Sequence, residues 1–199
     1  MDWVLHQGDA LDLLSQWGQP LDLIVTDPPY AFGGSGTEHA VTATVAVTLR
    51  ESAKYLKRGC WMVVFCASSW RSISYMVEAC RGVVEPVRLA YWGKPEIRTK
   101  VRPIGWAYSS VAVLAMRRGP KNDPRLQIST VMDHIEHAVV TNQRRAQLPD
   151  AVANWAVEPF AIDGGMFLDP FAGSGALPKA AAAHGMQAHG FELINDDTL

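Results

Sequence analysis

The tetrapeptide Asp27-Pro28-Pro29-Tyr30 places an acid, two prolines and an aromatic ring directly after the apolar run at residues 21–26. Two prolines remove two N–H donors, and an ionised carboxylate only accepts hydrogen bonds, so this turn is rich in acceptors. Such a site suits a substrate amine that presents two N–H bonds. Accepting both bonds would draw the nitrogen of a nucleobase amine toward tetrahedral geometry and free its lone pair for attack. An ordinary proline-rich turn after a strand is the alternative interpretation.

The ring of Tyr30 is suited to stacking on the same base, a contact worth roughly 1–3 kcal/mol in single-stranded nucleic-acid sites. Gly33, Gly34 and Gly36 follow it and predict a flexible loop.

A second stretch whose residues could take part in chemistry is residues 169–175, with the sequence DPFAGSG. Gly173 and Gly175 let a backbone approach a bound ligand closely, and Ser174 is expected to cap the helix that follows. The next predicted strand ends in Glu192. A glycine-rich strand-to-helix turn with an acid at the end of the next strand typically holds a nucleoside, the acid bonding the ribose hydroxyls. The third glycine of the dinucleotide fingerprint and the Lys-Ser or Lys-Thr of a P-loop are missing, which predicts a cofactor without a pyrophosphate.

Composition indicates a folded chain of 199 residues, with 48% apolar and 19% charged residues, enough for a sizeable core. No apolar run approaches the roughly 20 residues of a membrane span, and the N-terminus lacks the basic region of a signal peptide. Cys60, Cys66 and Cys80 show no metal-ligand spacing and are expected to be reduced core residues of a cytosolic protein.

The net charge of −2 is unevenly distributed. Residues 94–125 carry eight basic side chains against Glu96 and Asp123, which gives +6 and leaves −8 on the remainder. The basic residues are Lys94, Arg98, Lys100, Arg102, Arg117, Arg118, Lys121 and Arg125. A basic segment on an acidic body predicts a surface that contacts phosphates, although a solvated loop is the simpler reading.

Four of these cations share the loop at residues 93–108 with Trp106 and Tyr108. Basic residues interleaved with aromatic ones can hold a nucleic-acid backbone and stack on or wedge between bases. A loop pinned by two half-buried aromatic rings is an equally good interpretation.

The elements that must position these residues follow from hydrophobic periodicity. Seven strands are predicted, at residues 3–6, 21–26, 60–66, 87–92, 110–116, 166–168 and 187–191. Five helices are predicted, at residues 10–17, 37–58, 69–81, 151–160 and 176–184. The alternation indicates an α/β fold: a doubly wound, mostly parallel, seven-stranded Rossmann-like sheet with helices on both faces.

Residues 119–147 show no clear pattern. His134 and His137 lie three apart and would face one way on a helix, but with no third ligand candidate nearby we predict no metal site.

With both motifs in view, the sequence resembles the amino-methyltransferases that use S-adenosylmethionine, the N6-adenine and N4-cytosine DNA methyltransferases. Residues 27–30 match the catalytic motif and residues 169–175 the cofactor motif of the circularly permuted group, in which the catalytic tetrapeptide comes first. Smaller matches complete the resemblance, in consistent order over nearly the whole chain: Gly8-Asp9, Trp92-Gly93-Lys94 and Gly190-Phe191-Glu192-Leu193. The permutation point is expected between two strands that are consecutive in the unpermuted fold.

The resemblance implies roles for individual residues. The catalytic tetrapeptide is Asp27, Pro28, Pro29 and Tyr30, in which Asp27 and the Pro28 carbonyl hold the target amine and Tyr30 stacks on the flipped base. The implied cofactor-binding residues are Asp9, Ala10, Asp27, Asp169, Phe171, Gly173, Gly175 and Glu192. Among them, Glu192 would bind the ribose and Asp9 the adenine amine. The implied DNA-binding residues are Lys94, Arg98, Lys100, Arg102 and Trp106.

We therefore expect methyl transfer from S-adenosylmethionine to the exocyclic amine of a base in double-stranded DNA, as in restriction–modification systems. N6 of adenine is favoured because the DPPY form is the commoner one in the adenine group. N4-cytosine methylation, RNA amino-methylation and a non-catalytic DNA-binding subunit remain open. The protein is expected to be cytoplasmic, from a bacterium or phage, with no metal and no membrane association.

Two departures from the family pattern affect the expected specificity. The family's His-Pro-Thr-Gln-Lys-Pro-like segment is matched only loosely by residues 140–145, so no cofactor contact is assigned there. Residues 1–199 are expected to form one catalytic domain, and its target-recognition insertion, at about 119–150, is very short. We therefore expect relaxed or short-site specificity, or a homodimer.

Overall fold

The computed structural model describes residues 3–29, 37–95, 109–120, 131–139 and 147–193, with side chains from residue 43 onward in the second range. In these ranges the strands are β1 (Val4–Gln7), β2 (Leu21–Thr26), β3 (Leu56–Ala67), β4 (Glu85–Gly93), β5 (Ser110–Arg117), β6 (His134–Glu136), β7 (Met166–Asp169) and β8 (Gln187–Glu192). The helices are α1 (Ala10–Ser15), α2 (Thr37–Ala53), α3 (Trp70–Ala79), α4 (Asp150–Val157) and α5 (Ala176–Ala183), and a 3-10 turn (Glu158–Phe160) extends α4.

The strands form one eight-stranded sheet in the order β1-β8-β7-β2-β3-β5-β4-β6. All neighbours pair in parallel except β5, which is antiparallel to both β3 and β4. If strands are counted from β7, the first five in spatial order become 3-2-1-4-5, which is the doubly wound order. The predicted fold class is confirmed, and the parallel pairing of β1 with β8 matches the expected permutation.

Helices cover both faces of the sheet. On one face α4 and α5 contribute Val152, Val157 and Leu177 to the core, and on the other α1, α2 and α3 contribute Leu14, Leu49 and Met76. Successive residues of β3 alternate between the two cores, as side chains of a strand must. Burial on both faces explains why the sequence of β3 contains a continuous apolar run. The three cysteines are buried and free, as predicted.

The prediction of seven strands was one short, because β6 has only three residues. Its pairing with β4 joins Tyr91 to His134 and Gly93 to Glu136. This places His134 on a strand, so the two histidines do not share a helix face. Three residues are too few to show a hydrophobic period.

The predicted helix at residues 37–58 was too long, since α2 ends at Ala53 and Leu56 already begins β3. Gly59 has a φ of +84° inside the strand, where the register with β2 slips between the pairs Leu21–Leu56 and Leu23–Trp61. This glycine therefore marks a β-bulge, a common use of glycine within strands, and does not end the helix.

The predicted cap of α5 was also wrong. Gly175, not Ser174, is the N-cap residue, and no side-chain hydrogen bond closes this helix end. Pro178 lies in the first turn, as expected for proline.

None of the described helices is long and apolar enough to cross a membrane. In the same ranges, no group of three or more His, Cys, Asp or Glu side chains is arranged to hold a metal ion.

Candidate active site

The two motifs that are far apart in sequence meet at one edge of the sheet. Strands β2 and β7 are parallel neighbours, with Leu23 opposite Phe167 and Ile24 opposite Leu168. Their carboxyl ends therefore point the same way, with Asp27 directly after β2 and Asp169 at the end of β7. The strand order reverses between these two strands, and open α/β sheets bind ligands at such a switch point.

Asp169 joins the two turns through its buried carboxyl group, which is 1% exposed. Its Oδ1 accepts a hydrogen bond from Thr26 Oγ1 at 2.6 Å and another from the Phe171 backbone N–H at 3.0 Å. Burial raises the pKa of Asp169 to about 7, against the effect of these two bonds, and the charges of Asp27 and Glu192 raise it further. Asp169 thus fixes the start of the glycine turn against the end of β2.

Thr26 is a site residue that the sequence reasoning missed. It is fully buried and reaches Asp169 across 143 positions of sequence. The available signal was a hydroxyl at the end of an otherwise apolar buried strand, because buried polar groups need a hydrogen-bond partner.

The two glycines of the cofactor motif serve different purposes. Gly173 has a φ of +51°, a Cβ there would meet nothing within 4 Å, and its N–H donates to Glu192 Oε2 at 2.7 Å. Gly175 has a φ of +82°, and a Cβ there would collide with the indole ring of Trp3. The expected close approach of a ligand therefore fits Gly173, whereas Gly175 lets the start of α5 pack against Trp3.

Asp9 and Ala10 lie at the same edge, next to Glu192. The Gly8 N–H donates to the Glu192 carbonyl at 2.9 Å, and Gln7 is opposite Glu192 in the pairing of β1 with β8. Asp9 is the N-cap residue of α1, with its Oδ1 accepting from the N–H of Leu11 at 2.9 Å and of Asp12 at 3.3 Å. Its carboxylate is held in place by the helix that it caps.

Four carboxyl groups therefore follow one another along the edge. Asp9, Glu192, Asp169 and Asp27 belong to the ends of β1, β8, β7 and β2, which are successive strands about 4.8 Å apart. Carboxylates accept bonds from ribose hydroxyls and amines and attract cations, and the open side of Gly173 leaves room for a ligand backbone. This set of acceptors fits S-adenosylmethionine, a nucleoside that carries an ammonium and a sulfonium charge.

Asp27 is half-buried, Pro28 is buried and Pro29 is exposed. The negative charge of Asp27 acts on groups at the ends of β3 and β4. Burial, with a smaller contribution from Asp27, raises the pKa of Cys66 at the end of β3 to about 12. Burial lowers the pKa of Lys94, and Asp27 opposes that shift.

Lys94 follows β4 on a well-anchored segment. Its Nζ lies 4.7 Å from the centroid of the Trp92 ring, and its backbone N–H donates to the Ser109 carbonyl at 2.6 Å. Trp92 Nε1 donates to the His137 carbonyl at 2.9 Å, which fixes the ring beneath the ammonium group. The remaining predicted residues, Tyr30, Arg98, Lys100, Arg102, Trp106 and residues 140–145, lie outside the described residues.

A cavity of about 450 Å³ lies elsewhere, between α4 and the β3–β5–β4 part of the sheet. Trp61, Trp155 and Phe160 line it, with Arg88 and Asp133 among its polar residues, and none of the four edge carboxylates does. The acceptors that could hold a nucleoside are at the carboxyl edge, outside this cavity.

Comparison with known proteins gives a consistent result. No protein-family model matches the chain. The type II methyltransferase M.ScaI of Streptomyces caespitosus is 21% identical over 244 residues, which cover 98% of this chain and 78% of that protein. Among solved structures, M1.HpyAVI has a TM-score of 0.74 at 19% identity, covering 98% of this chain and 94% of that one. The cytosine-N4-specific PvuII DNA methyltransferase has a TM-score of 0.74 at 16% identity, covering 98% and 83%.

The predicted resemblance to the DNA methyltransferases is confirmed. The chain is similar to such a protein in sequence over nearly its whole length and has their fold.

Proposed function

We propose that this protein is a DNA methyltransferase that moves a methyl group from S-adenosylmethionine to the exocyclic amine of a base, N6 of adenine. The observation that carries the proposal is the adjacency of Asp27 and Asp169 at the switch point, tied by the Thr26–Asp169 bond. An acceptor-rich turn and an open glycine turn thereby share one site.

The cofactor assignment has independent support. M1.HpyAVI, which has the same fold, was also solved as a complex with S-adenosylmethionine, with a TM-score of 0.73 to this chain. When bound, S-adenosylmethionine would supply an electrophilic methyl group on a positively charged sulfur. Glu192 would accept bonds from its ribose, Asp9 would bind its adenine amine, and Phe171 and Gly173 would hold its methionine part.

The catalytic contribution of the chain is positioning. The carboxylate of Asp27 and the carbonyl of Pro28 accept the two N–H bonds of the target amine, and Pro29 keeps the turn free of competing donors. Tyr30 stacks on the flipped base. Holding the amine nitrogen in line with the methyl group would lower the entropic part of the barrier. As the N–C bond forms, the methyl–sulfur bond would break and leave S-adenosylhomocysteine, and Asp27 would accept the proton that the nitrogen loses.

The choice of adenine rests on the DPPY form of residues 27–30. The similarity to a cytosine-N4-specific enzyme shows that this fold also serves cytosine, which is therefore the second candidate. Both bases present an exocyclic amine to the same pair of acceptors.

We further propose that double-stranded DNA is bound, in the cytoplasm, by the basic segment at residues 94–125. Arg117 is an exception, because it is 4% exposed and is paired with Trp61, away from the carboxyl edge. Residues 1–199 act as one catalytic domain with little sequence of its own for base reading, so the recognised site is short or two copies read it together. Mapping methylated positions in treated genomic DNA and measuring the mass in solution would separate these two cases.

The reaction is tested by incubating the purified chain with isotope-labelled S-adenosylmethionine and either DNA or RNA, followed by nucleoside mass spectrometry. The expected product is labelled N6-methyldeoxyadenosine. Labelled N4-methyldeoxycytidine would change the base assignment, and product from RNA alone would overturn the DNA assignment. If no substrate yields a product, the chain is instead a non-catalytic DNA-binding subunit.

A further inference from the structure

Trp70 is the most exposed large apolar side chain among the described residues, at 86% of its surface. A single exposed apolar residue carries no information by itself. Its position does, because Trp70 begins α3 directly beyond the carboxyl end of β3, the strand next to Asp27.

The register of the sheet places Trp70 beside the catalytic turn. Thr26, the last residue of β2, is opposite Val64, so β3 continues for three more residues to Ala67. The chain therefore enters the catalytic turn about one strand spacing, roughly 4.8 Å, from the last residues of β3. Trp70 follows after two further residues.

The turn that carries Trp70 is fixed by hydrogen bonds. Ser68 Oγ donates to the Ser110 carbonyl at 3.0 Å, and the Ser69 N–H donates to the Ala67 carbonyl at 2.7 Å. Ser69 Oγ caps α3 by accepting from the Ser72 N–H at 3.2 Å. The indole is thus held out into solvent from a backbone with little freedom, so a ligand that stacks on it need not order the turn first.

Charge decides which ligand suits this position. The carboxylates of Asp9, Glu192 and Asp27 repel phosphates, so a nucleic-acid backbone is expected over the other half of the edge, where the Lys94 ammonium lies over the Trp92 ring. Trp70 lies between Asp27 and Lys94 in strand order. Its exposed flat face suits a nucleobase, since every base presents a π-face to an aromatic ring.

We propose that Trp70 stacks on a base of the bound nucleic acid next to the target, one that loses its neighbour when the target base leaves the helix. The inference rests on the proposed function for the nature of the ligand, and it adds a substrate contact to the Asp27 site. The proposed contact of Trp70 is with the nucleic acid and not with the cofactor.

The test compares Trp70→Ala, Trp70→Phe and the control Tyr75→Ala, an exposed aromatic residue later in the same helix. The probe is a fluorescein-labelled oligodeoxynucleotide of random sequence, single-stranded or annealed. Trp70→Ala is expected to weaken binding of the single strand about tenfold, the loss typical of one base–aromatic stack. Trp70→Phe recovers most of the affinity, and Tyr75→Ala binds as the wild type does. All three variants keep the wild-type melting temperature and S-adenosylmethionine affinity.

Several results would overturn the inference. If Trp70→Ala binds DNA as tightly as the wild type while the wild type methylates DNA, Trp70 is no DNA contact and the proposed function stands. If Trp70→Ala leaves DNA binding intact but dissociates a dimer in sedimentation, this surface binds protein. If the wild type neither binds nor methylates nucleic acid, the proposed function fails as well.

Discussion

The carboxyl edge of the sheet has two halves of opposite character. One half consists of four parallel strands, β1, β8, β7 and β2. Each of them is followed by or ends in an acidic residue: Asp9, Glu192, Asp169 and Asp27 respectively. Strands β3, β5, β4 and β6 include the antiparallel strand β5, and Trp70, Lys94 and His137 lie at their ends.

The difference indicates a division of labour. The acidic half suits a cationic nucleoside cofactor, and the other half suits the polyanion that is to be methylated. Asp27 stands at the border, where the charges of Lys94 and Asp27 act on each other. Keeping the two ligands apart by charge is how an acidic body with a net charge of −8 outside residues 94–125 can act on DNA.

The largest expected effect is a loss of activity on substitution of Asp27, which lies between the two halves. Asp27→Asn keeps the size of the side chain but replaces one acceptor with a donor, so it should lower kcat by about a thousandfold. S-adenosylmethionine affinity, measured by calorimetry, should fall far less than kcat, because the contacts expected at Glu192, Asp9 and Gly173 are kept. The matched control is Glu78→Gln, an exposed acid at the end of α3, before β4 begins, that should remain fully active. Full activity of Asp27→Asn would remove Asp27 from the mechanism.

The next effect is the pH dependence of the stability that Asp169, in the acidic half, contributes. Because burial raises the folded-state pKa of Asp169 to about 7, the folded protein holds this proton more tightly than the unfolded chain. The contribution of Asp169 to stability is therefore complete below about pH 4 and is lost as the pH rises through 7, by up to about 4 kcal/mol.

Asp169→Asn cannot ionise and should lack this loss. Urea unfolding of both proteins from pH 4 to pH 8 measures the difference, since contributions from other groups cancel. Parallel curves for the two proteins would contradict the raised pKa.

A smaller effect separates the two glycines of the cofactor turn. Gly175→Ala should unfold the protein more easily by about 1–3 kcal/mol, because the new methyl group meets Trp3 at a positive φ. Gly173→Ala has space for its methyl group and should mainly weaken S-adenosylmethionine binding. Melting temperatures and calorimetry on both variants check this. The reverse assignment of losses would show that Gly175, not Gly173, faces the ligand.

The smallest effect concerns the DNA-facing half. Lys94→Met keeps the length of the side chain over Trp92 and removes only the charge. DNA affinity should fall by several-fold and the salt slope of log K should become shallower by about one unit. Lys179→Met, an exposed lysine on α5, is the control. An unchanged salt slope for Lys94→Met would place the phosphate contacts elsewhere.

The two halves also differ in how far the sequence predicts them. The acidic half repeats one local pattern, an apolar run that ends in an acid and a turn, so β2, β7 and β8 were predicted nearly to the residue. Its long-range details were not predictable: the bond from Thr26 to Asp169 and the close packing of Gly175 against Trp3 join residues that no local pattern connects.

The other half was harder to predict for local reasons. β6 is defined only by its pairing with β4, and the bulge at Gly59 looks in sequence like a helix end. Trp70 was counted only as part of a helix, since exposure cannot be read from the spacing of apolar residues around it.

The most direct test of the account is a crystal structure of the protein with S-adenosylmethionine. We predict the ribose at Glu192, the methionine part over Gly173, and the sulfonium methyl within about 5 Å of the Asp27 carboxylate, close enough for in-line attack by an amine held there. A cofactor bound in the cavity beside Trp61 and Phe160, or a methyl group directed away from Asp27, would contradict it.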